Sequence, residues 1–573
     1  MIAVFTNQKE HHHNIISSSS SLLFFIILLF FSTVVHSSQA LSSKQPNPLL
    51  SYDLLVIGGG SAGLTAAKFA SRFGKSVAIV EKARMGGDCT WTGCVPSKSL
   101  VASAKVAHTV RQSSKFGIGV QFDSRHDSDM MDKVNANNIH VKVDFPKVMA
   151  RAKENIQRIY DEDDSPLALK KLGIDVIQGT ATFQSANTLI VSPTITQTEN
   201  DAISDDKSHV LQAKYGILIA TGAHPVRPTD KDLPGIESVQ HVTYEEIFDL
   251  EQLPHTITIV GGGPIGCELS QIFARFGSQV TIVSDRLLPK EEPEVGSTLS
   301  KIFESEGIKV IQGTVTSVSP LQANNHDNQS NTNHTNETKT MHTATCSNGQ
   351  TISGHLLVVA VGRNPVVQGM GIEKLGIDID KQTGGILVNE KLATNIKGIY
   401  AAGDCTGGEQ FTHYAGYQGA VGARNILLPL SDPGKLTMVP STTFVDPEIA
   451  SIGMTQSQAE EAFGKESIAV AFQEVNETDR GICEGSSEGF IKIVYSKKGY
   501  KILGATIISP VAGEILAEIS TAIKTNLSFD LLATVMHSYP SHAFALQAMA
   551  CQVYYDKLAK SKRILNFLEK VGL

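Results

Sequence analysis

The sequence predicts an α/β protein built on two βαβ units, with a separate α+β domain at its C-terminal end. Three observations carry that prediction. The run from Asp53 to Ile57 reads as a strand; it enters a turn with Gly58, Gly60 and Gly63, then a small-residue helix, then a strand from Ser76 to Glu81. The order repeats at Ile257 to Val260, Gly261, Gly263 and Gly266, a helix, and Gln279 to Val283. After Pro440 the pattern changes to strands such as Gly489 to Tyr495, followed by helices. Strand, G-x-G-x-x-G turn and helix in that order form a dinucleotide-binding unit of Rossmann type. The fold class is therefore α/β, with two Rossmann-like domains and an α+β domain.

At 573 residues the chain exceeds what one hydrophobic core supports, and several domains are expected. Its 41% apolar and 18% charged residues are ordinary for a globular protein. The net charge of -8 gives no reason to expect a nucleic-acid partner. Near the N-terminus, Leu22 to Phe31 is an unbroken apolar run extended to Val35, and Ser38-Gln39-Ala40 follows as a small-x-small pattern. That run is shorter than the ~20 residues that span a bilayer and suits the core of a signal peptide over residues 1–40. Its flank is only weakly basic, so a signal-anchor, an unstructured leader and import into a multiply bounded organelle stay open. The expected location is the secretory pathway, or the lumen of an organelle reached through it. Beyond residue 45 no run is long enough for a membrane helix. Sequons at Asn328, Asn333, Asn336, Asn476 and Asn526 would be modified only in a secretory compartment. Residues 121–140, 196–209 and above all 322–350 are polar and unpatterned, and the last reads as a disordered hairpin tip.

In each unit the glycines let backbone approach a pyrophosphate that the helix N-terminus attracts. Glu81 ends the second strand of the first unit, where a carboxylate meets a ribose hydroxyl. In the second unit the corresponding run is Val283-Ser284-Asp285-Arg286. Ser284 with Arg286 nearby leans toward the 2′-phosphate of NADP, because arginine pairs with phosphate; Asp285 keeps a ribose contact open.

Cys89 and Cys94 stand in the run Gly86-Gly-Asp-Cys-Thr-Trp-Thr-Gly-Cys-Val-Pro-Ser-Lys98. On an ideal helix, positions five apart diverge by about 140° and about 7.5 Å of rise, so their sulfurs would not meet. A disulfide therefore requires Cys89 in an irregular turn at a helix start, which Gly86, Gly87 and Gly93 permit. The helix N-terminus would then favour a thiolate nearby. A structural disulfide or two buried thiols would also explain the pair. Directly after a dinucleotide fingerprint, it reads as a redox centre.

At these residues the chain resembles the class I pyridine nucleotide-disulfide oxidoreductases, a family that includes glutathione reductase, dihydrolipoamide dehydrogenase and mercuric reductase. The resemblance spans residues 51–573 and extends to Thr221-Gly222, the Gly362-Arg363-Asn364-Pro365 run, Gly403-Asp404, Thr412-His413, Phe444 to Ala450 and Asp479-Arg480. It implies FAD on Gly58, Gly60, Gly63 and Glu81, with Thr221 and Gly222 nearby and Asp404 on the ribityl chain. Lys98, paired with Glu268, would lie near the flavin. NAD(P)H, with NADPH favoured, would bind at Gly261, Gly263, Gly266, Ser284, Arg286 and Gly362. Cys94 would face the flavin and Cys89 the substrate. The implied domains are FAD-binding at 50–235 and 356–435, NAD(P)-binding at 236–355 and dimerisation at 436–573, in a homodimer whose other partner is a small-molecule or metal-ion electron acceptor.

The pattern breaks near the C-terminus. Disulfide-reducing members carry His-Pro-Thr and then a glutamate, and the partner subunit supplies that histidine as acid–base group. Here Tyr539 stands at the histidine position and Phe544 at the glutamate position. A phenol with an ordinary pKa near 10 is a poor base at neutral pH. His537 and His542 flank the position; they read as surface or interface residues, with a substitute for the missing base as the alternative. Mercuric reductases also lack the histidine, and a tyrosine there suits thiolate–metal chemistry. The resemblance therefore implies Tyr539 as a catalytic residue and mercuric ion or another thiophilic acceptor, with a disulfide reductase or a flavoprotein redox sensor as alternatives. Their C-terminal cysteine pair is missing here, the last cysteine being Cys551. Neither Cys267, Cys346, Cys405 nor Cys483 has metal-ligand spacing; Cys346, in the polar loop, reads as a free thiol. Trp91, the only tryptophan, reads as packing at the helix start, with a substrate gate as the alternative.

Overall fold

The computed structural model describes residues 49–119, 141–193, 208–321, 341–486, 488–560, 566–567 and 569–571. The N-terminal apolar run, the polar run 121–140 and the sequons at Asn328, Asn333 and Asn336 lie outside the described residues.

The first sheet has seven strands. Ile174–Gln178, Val77–Glu81, Leu49–Ile57 and His209–Ile219 lie side by side, with Thr188–Ser192 and Thr180–Ser185 beyond and Ile399–Ala401 paired to His209–Ile219. Strands from distant parts of the chain thus complete one sheet, and their Val, Ile and Leu side chains make the largest core with the helices Ser61–Arg72 and Thr412–Leu427. The second sheet is parallel and five-stranded: Lys309–Gln312, Gln279–Ser284, Thr256–Val260, Leu356–Val359 and His241–Val242. Near-continuous apolar strands are what a parallel sheet covered on both faces requires. The boundary expected at residue 355 moves, because Leu356–Val359 pairs with Thr256–Val260 and is a central strand of the second sheet. Its apolar register against Ile257 and Ile259 outweighs its position in the chain.

A small antiparallel sheet of Val315–Pro320, His342–Cys346 and Thr351–Gly354 follows the second unit. The polar run expected to be loose to residue 350 is therefore ordered from residue 341. Cys346 is a free thiol as expected, but it ends a strand at 2% exposure, against Val283 and Ile311, and does not lie in a loop. The C-terminal domain is an antiparallel five-stranded sheet, ordered Ser441–Thr443, Glu448–Gly453, Ile502–Ser509, Phe490–Ser496 and Ile468–Glu474. The helices Ala512–Lys524 and Phe544–Lys560, the latter containing Cys551, cover it. Among the described residues, no helix is long and apolar enough to cross a membrane.

Candidate functional site

Both glycine turns, both cysteines and the first strands of the C-terminal domain line one cleft of about 2540 Å³. A single small-molecule pocket takes roughly 300–1,000 Å³, so the cleft has room for two extended cofactors.

The two turns share one geometry. Gly58 N donates to Val80 O at 2.8 Å and Gly261 N to Val283 O at 3.0 Å. Gly58 and Gly261 have φ of +105° and +114°, which favours glycine. A Cβ on Gly63 would come 1.9 Å from Gly58 O, and one on Gly266 would come 2.0 Å from Gly261 O, so these glycines seat the helices. The middle glycines differ. A Cβ on Gly60 meets only Gly87 Cα at 3.9 Å, and one on Gly263 meets nothing. Each middle glycine borders the open cleft at a helix start, which is the cradle a pyrophosphate needs. The residues present fit two dinucleotides.

The shared register also aligns Glu81 with Ser284, each one residue beyond the carbonyl that meets the first glycine. Glu81 accepts from Gly59 N and Ala83 N, both at 2.7 Å, and its burial raises its pKa against those bonds. The Ser284 hydroxyl donates to Arg286 O at 2.9 Å, and Arg286 is anchored to the carbonyls of Pro289 and Glu291 on the cleft wall. No carboxylate occupies the Ser284 position. The Thr221 hydroxyl donates to Val366 O at 2.6 Å, and Gly222 O accepts from Val366 N at 2.9 Å. Gly362 lines the cleft with a φ of +132°. Asp404 is paired with Arg363 at 2.6 Å; burial raises its pKa, and the guanidinium opposes that rise.

Arg363 carries more than the sequence indicated. It bonds Asp88 at 3.0 Å and Tyr244 at 3.1 Å, tying Asp404 to the turn that holds the cysteines. Cys89 lies in one helical turn, Gly87–Trp91, and Cys94 begins the helix Cys94–Gln112. The expected irregularity thus falls between the cysteines, at Thr92 and Gly93. A Cβ on Gly93 would come 2.7 Å from Asp88 O, so only glycine lets the chain fold back here. Neither cysteine is in a disulfide, and each bears on the other's charge. The hydrogen bond from Cys89 lowers the Cys94 pKa to about 6 against burial, helped by the Thr412 hydroxyl and the Lys98 ammonium and opposed by Glu268. The bond to Cys94, burial and the charge of Asp164 push Cys89 far up, against Thr412. Thr412 Oγ1 lies 3.1 Å from Cys94 Sγ. The motif at 412–413 was visible in the sequence, but nothing there said that its hydroxyl meets a thiol.

Lys98 Nζ bonds Glu268 at 2.9 and 3.2 Å and lies 4.3 Å from the Phe444 ring centroid. Glu268 also accepts from Phe444 N at 2.9 Å, so one carboxylate joins the cysteine helix, the second glycine helix and the C-terminal domain. Trp91 donates to Met85 O at 2.7 Å, packs on Tyr160 and carries the Arg84 guanidinium over its ring, which is the packing role; its ring also borders the cleft.

Tyr539 does not join these groups within its own chain. It is 64% exposed on the C-terminal domain, donates to Asp479 at 2.7 Å, and lies outside the residues that line the cleft. Phe544 meets it edge-on at 5.3 Å. His537 is held by Glu518 and Val535 O, and His542 by Glu484; within this chain both side chains are buried, not at the surface expected of them. Cys267 and Cys405 are buried packing thiols whose burial raises their pKa values, that of Cys405 to about 11. Among the described residues, no cluster of three His, Cys, Asp or Glu could hold a metal ion.

Comparison with known proteins agrees with this geometry. Residues 52–419 match the pyridine nucleotide-disulphide oxidoreductase family model, and residues 439–550 match that family's dimerisation domain. The chain is 31% identical over 512 residues to a mercuric reductase of Streptomyces lividans, covering 89% of this chain and 97% of that one. It is 27% identical over 498 residues to a dihydrolipoyl dehydrogenase of Bacillus subtilis, covering 85% and 95%. The solved Cu(II) complex of the HOCl-induced flavoprotein disulfide reductase RclA from Escherichia coli superposes with a TM-score of 0.69 at 25% identity, over 88% of this chain and 100% of that one. The chain belongs to the pyridine nucleotide-disulfide oxidoreductase family and is an FAD- and pyridine-nucleotide-dependent oxidoreductase.

Proposed function

We propose that this enzyme carries electrons from NADPH to the Cys89–Cys94 pair and on to a thiophilic metal ion, with mercuric ion as the best-fitting substrate. The observation that carries this is a stabilised Cys94 thiolate beside Cys89, in a chain with a phenol, Tyr539, where dithiol chemistry calls for an imidazole. FAD, when bound along Gly58, Gly60, Gly63, Glu81 and Asp404, supplies the two-electron relay between nicotinamide and cysteines. Opening the disulfide takes two electrons and one proton and leaves a thiolate at Cys94 and a thiol at Cys89. The ion pair of Lys98 with Glu268 and the Thr412 hydroxyl hold that charge in place. Overall, NADPH and Hg(II) give NADP⁺, a proton and Hg(0). The similar Escherichia coli protein is known as a Cu(II) complex, which makes a transition-metal acceptor worth testing beside mercuric ion. In a homodimer joined through the C-terminal domains, Tyr539 of one subunit would face the cysteine pair of the other.

NADPH is favoured because Ser284 offers a 2′-phosphate no repulsion, whereas a carboxylate there would hydrogen-bond the free 2′-hydroxyl of NADH. Ser284→Glu is expected to shift the ratio of kcat/KM values toward NADH by at least about ten-fold, or about 1.4 kcal/mol. An unchanged ratio rejects the assignment.

The central test is anaerobic. NADPH added to the oxidised protein should expose two new thiols by titration, and none in Cys89→Ser or Cys94→Ser. The reduced protein is then offered mercuric ion, cupric ion, oxidised glutathione and lipoamide, following NADPH consumption. Turnover with a disulfide but not with either metal overturns the metal assignment. The apolar run Leu22 to Val35 supports a companion proposal of secretory entry, which N-terminal sequencing of the mature protein checks.

A further inference from the structure

Beneath the cysteine turn lies a buried carboxylate that this scheme does not use. The helix Phe145–Ile159 ends in a wider turn, Tyr160–Asp164, closed by Ser165 N donating to Tyr160 O at 2.8 Å. Such wide turns recur at functional sites, where they re-aim a side chain. This one meets the cysteine turn twice. Tyr160 packs on Trp91 with ring centroids 5.1 Å apart, and Asp164 accepts from the Thr90 hydroxyl at 2.8 Å. Asp164 is 5% exposed and Thr90 is 3% exposed, so the contact is dry. The fit is close, since a Cβ on Gly86 would come 3.1 Å from Asp164 Oδ2.

Thr90 follows Cys89 directly, so the carboxylate lies on the Cys89 side of the pair. Lys98 and Glu268 act on the Cys94 side, and Thr412 acts on both sulfurs, its hydroxyl 3.1 Å from Cys94 Sγ. The other charges near Asp164 are Lys68, at 4.0 Å from the helix Ser61–Arg72, and the adjacent Asp163. Cys89 itself is faced by Cys94, Thr412 and Asp164, and Cys94 by Cys89, Thr412, Lys98 and Glu268. The Cys89 end thus has a buried carboxylate with the more exposed Lys68 ammonium 4.0 Å from it, and the Cys94 end has the Lys98–Glu268 ion pair.

We propose that Asp164 is a positioning residue for the reduced pair: its charge, fixed under the turn by Thr90, keeps the proton on Cys89 and the negative charge on Cys94. This rests on the reading of Cys89 and Cys94 as the redox pair. When the disulfide opens with two electrons and one proton, the structure then leaves one destination for each. Burial raises the Asp164 pKa, with the Thr90 bond and Lys68 opposing it, and the Lys68 ammonium offsets part of the negative charge that Cys89 meets.

The test uses the full-length holoprotein reduced chemically, which separates it from the redox reading. Cys89 alkylation by iodoacetamide is followed by peptide mass mapping across pH. Asp164→Asn keeps an acceptor for Thr90 and removes the charge. The midpoint of the Cys89 profile should then move to lower pH. At a fixed pH below the midpoint, alkylation should rise about ten-fold for each pH unit that the midpoint moves. Asp164→Glu should restore the wild-type profile. Lys68→Met should move it the other way and serves as the second arm if the Asn variant fails to fold. A flavin-loaded Asp164→Asn protein whose Cys89 profile superimposes on wild type overturns the proposal, as does an unmoved profile in Lys68→Met. If NADPH exposes no thiols in wild type while these profiles move as expected, the redox reading fails and the electrostatic one stands.

Discussion

At the scale of single residues, the two cysteines of the cleft sit in unequal surroundings. Cys94 has the first position of a helix, a hydroxyl at 3.1 Å and an ammonium paired with Glu268; Cys89 lies in the preceding turn, whose Thr90 is bonded to the buried Asp164. A thiol pKa lowered to about 6 from an ordinary 8.5 sets a pH window. The Cys94 thiolate is fully present above that value and is lost as pH falls through it. Metal capture by the reduced enzyme should be flat above pH 7 and drop about ten-fold per pH unit below about 6. Stopped-flow mercuric-ion uptake against pH checks this; a midpoint near 8.5 rejects the stabilised thiolate. The cysteines, Lys98 and Glu268 were legible because their neighbours in sequence carry the motif. Asp164 was not, since the acidic run 161–164 offers four carboxyl groups and only the wide turn selects one.

At the scale of elements, two glycine turns do the same job by the same division of labour. Gly60→Ala puts its methyl 3.9 Å from the nearest neighbour, so the fold should keep its stability to within about 0.5 kcal/mol. Its cost falls on the cofactor, and the purified protein should lose most of its FAD. Gly63→Ala drives a methyl to 1.9 Å from a carbonyl and should instead destabilise the domain by about 1–3 kcal/mol or more, the cost of overpacking. Flavin absorbance per protein and thermal denaturation of the two variants separate the roles. Equal flavin loss with equal Tm loss would show that the middle glycine serves packing alone. The sequence displayed this motif in full, whereas the exchange of Leu356–Val359 into the second sheet depended on pairing that local pattern does not encode.

At the scale of the whole molecule, buried ion pairs seat the C-terminal domain on the second nucleotide domain. Arg275, 5% exposed, bonds Glu306 at 2.7 Å and Asp446 at 2.8 Å. Removing one partner of such a group leaves uncompensated charges, so Arg275→Met should cost about 3–5 kcal/mol, seen as a lower urea midpoint. Burial acts to raise the Asp446 pKa, but Arg275 and Lys105 outweigh it and hold it below the usual range. Its contribution to stability is therefore complete above an ordinary carboxylate pKa near 3.9 and fades as pH falls below that. Urea unfolding at pH 6 and pH 3 should show the loss in wild type and a smaller one in Arg275→Met. On the same scale, Tyr539 is outside its own chain's cleft, and its reach depends on a second subunit.

By itself the sequence determined the two dinucleotide units, the cysteine pair and the missing histidine, because each is a local pattern of turn, spacing or residue type. Only the tertiary structure decided which strands complete which sheet, that Cys346 is buried, that Arg363 joins Asp88 to Asp404, and that Thr412 meets Cys94 while Asp164 meets Thr90 beside Cys89. Those facts depend on groups hundreds of positions apart meeting in a low-dielectric interior, where proximity and burial, not sequence order, set the energy of a charge.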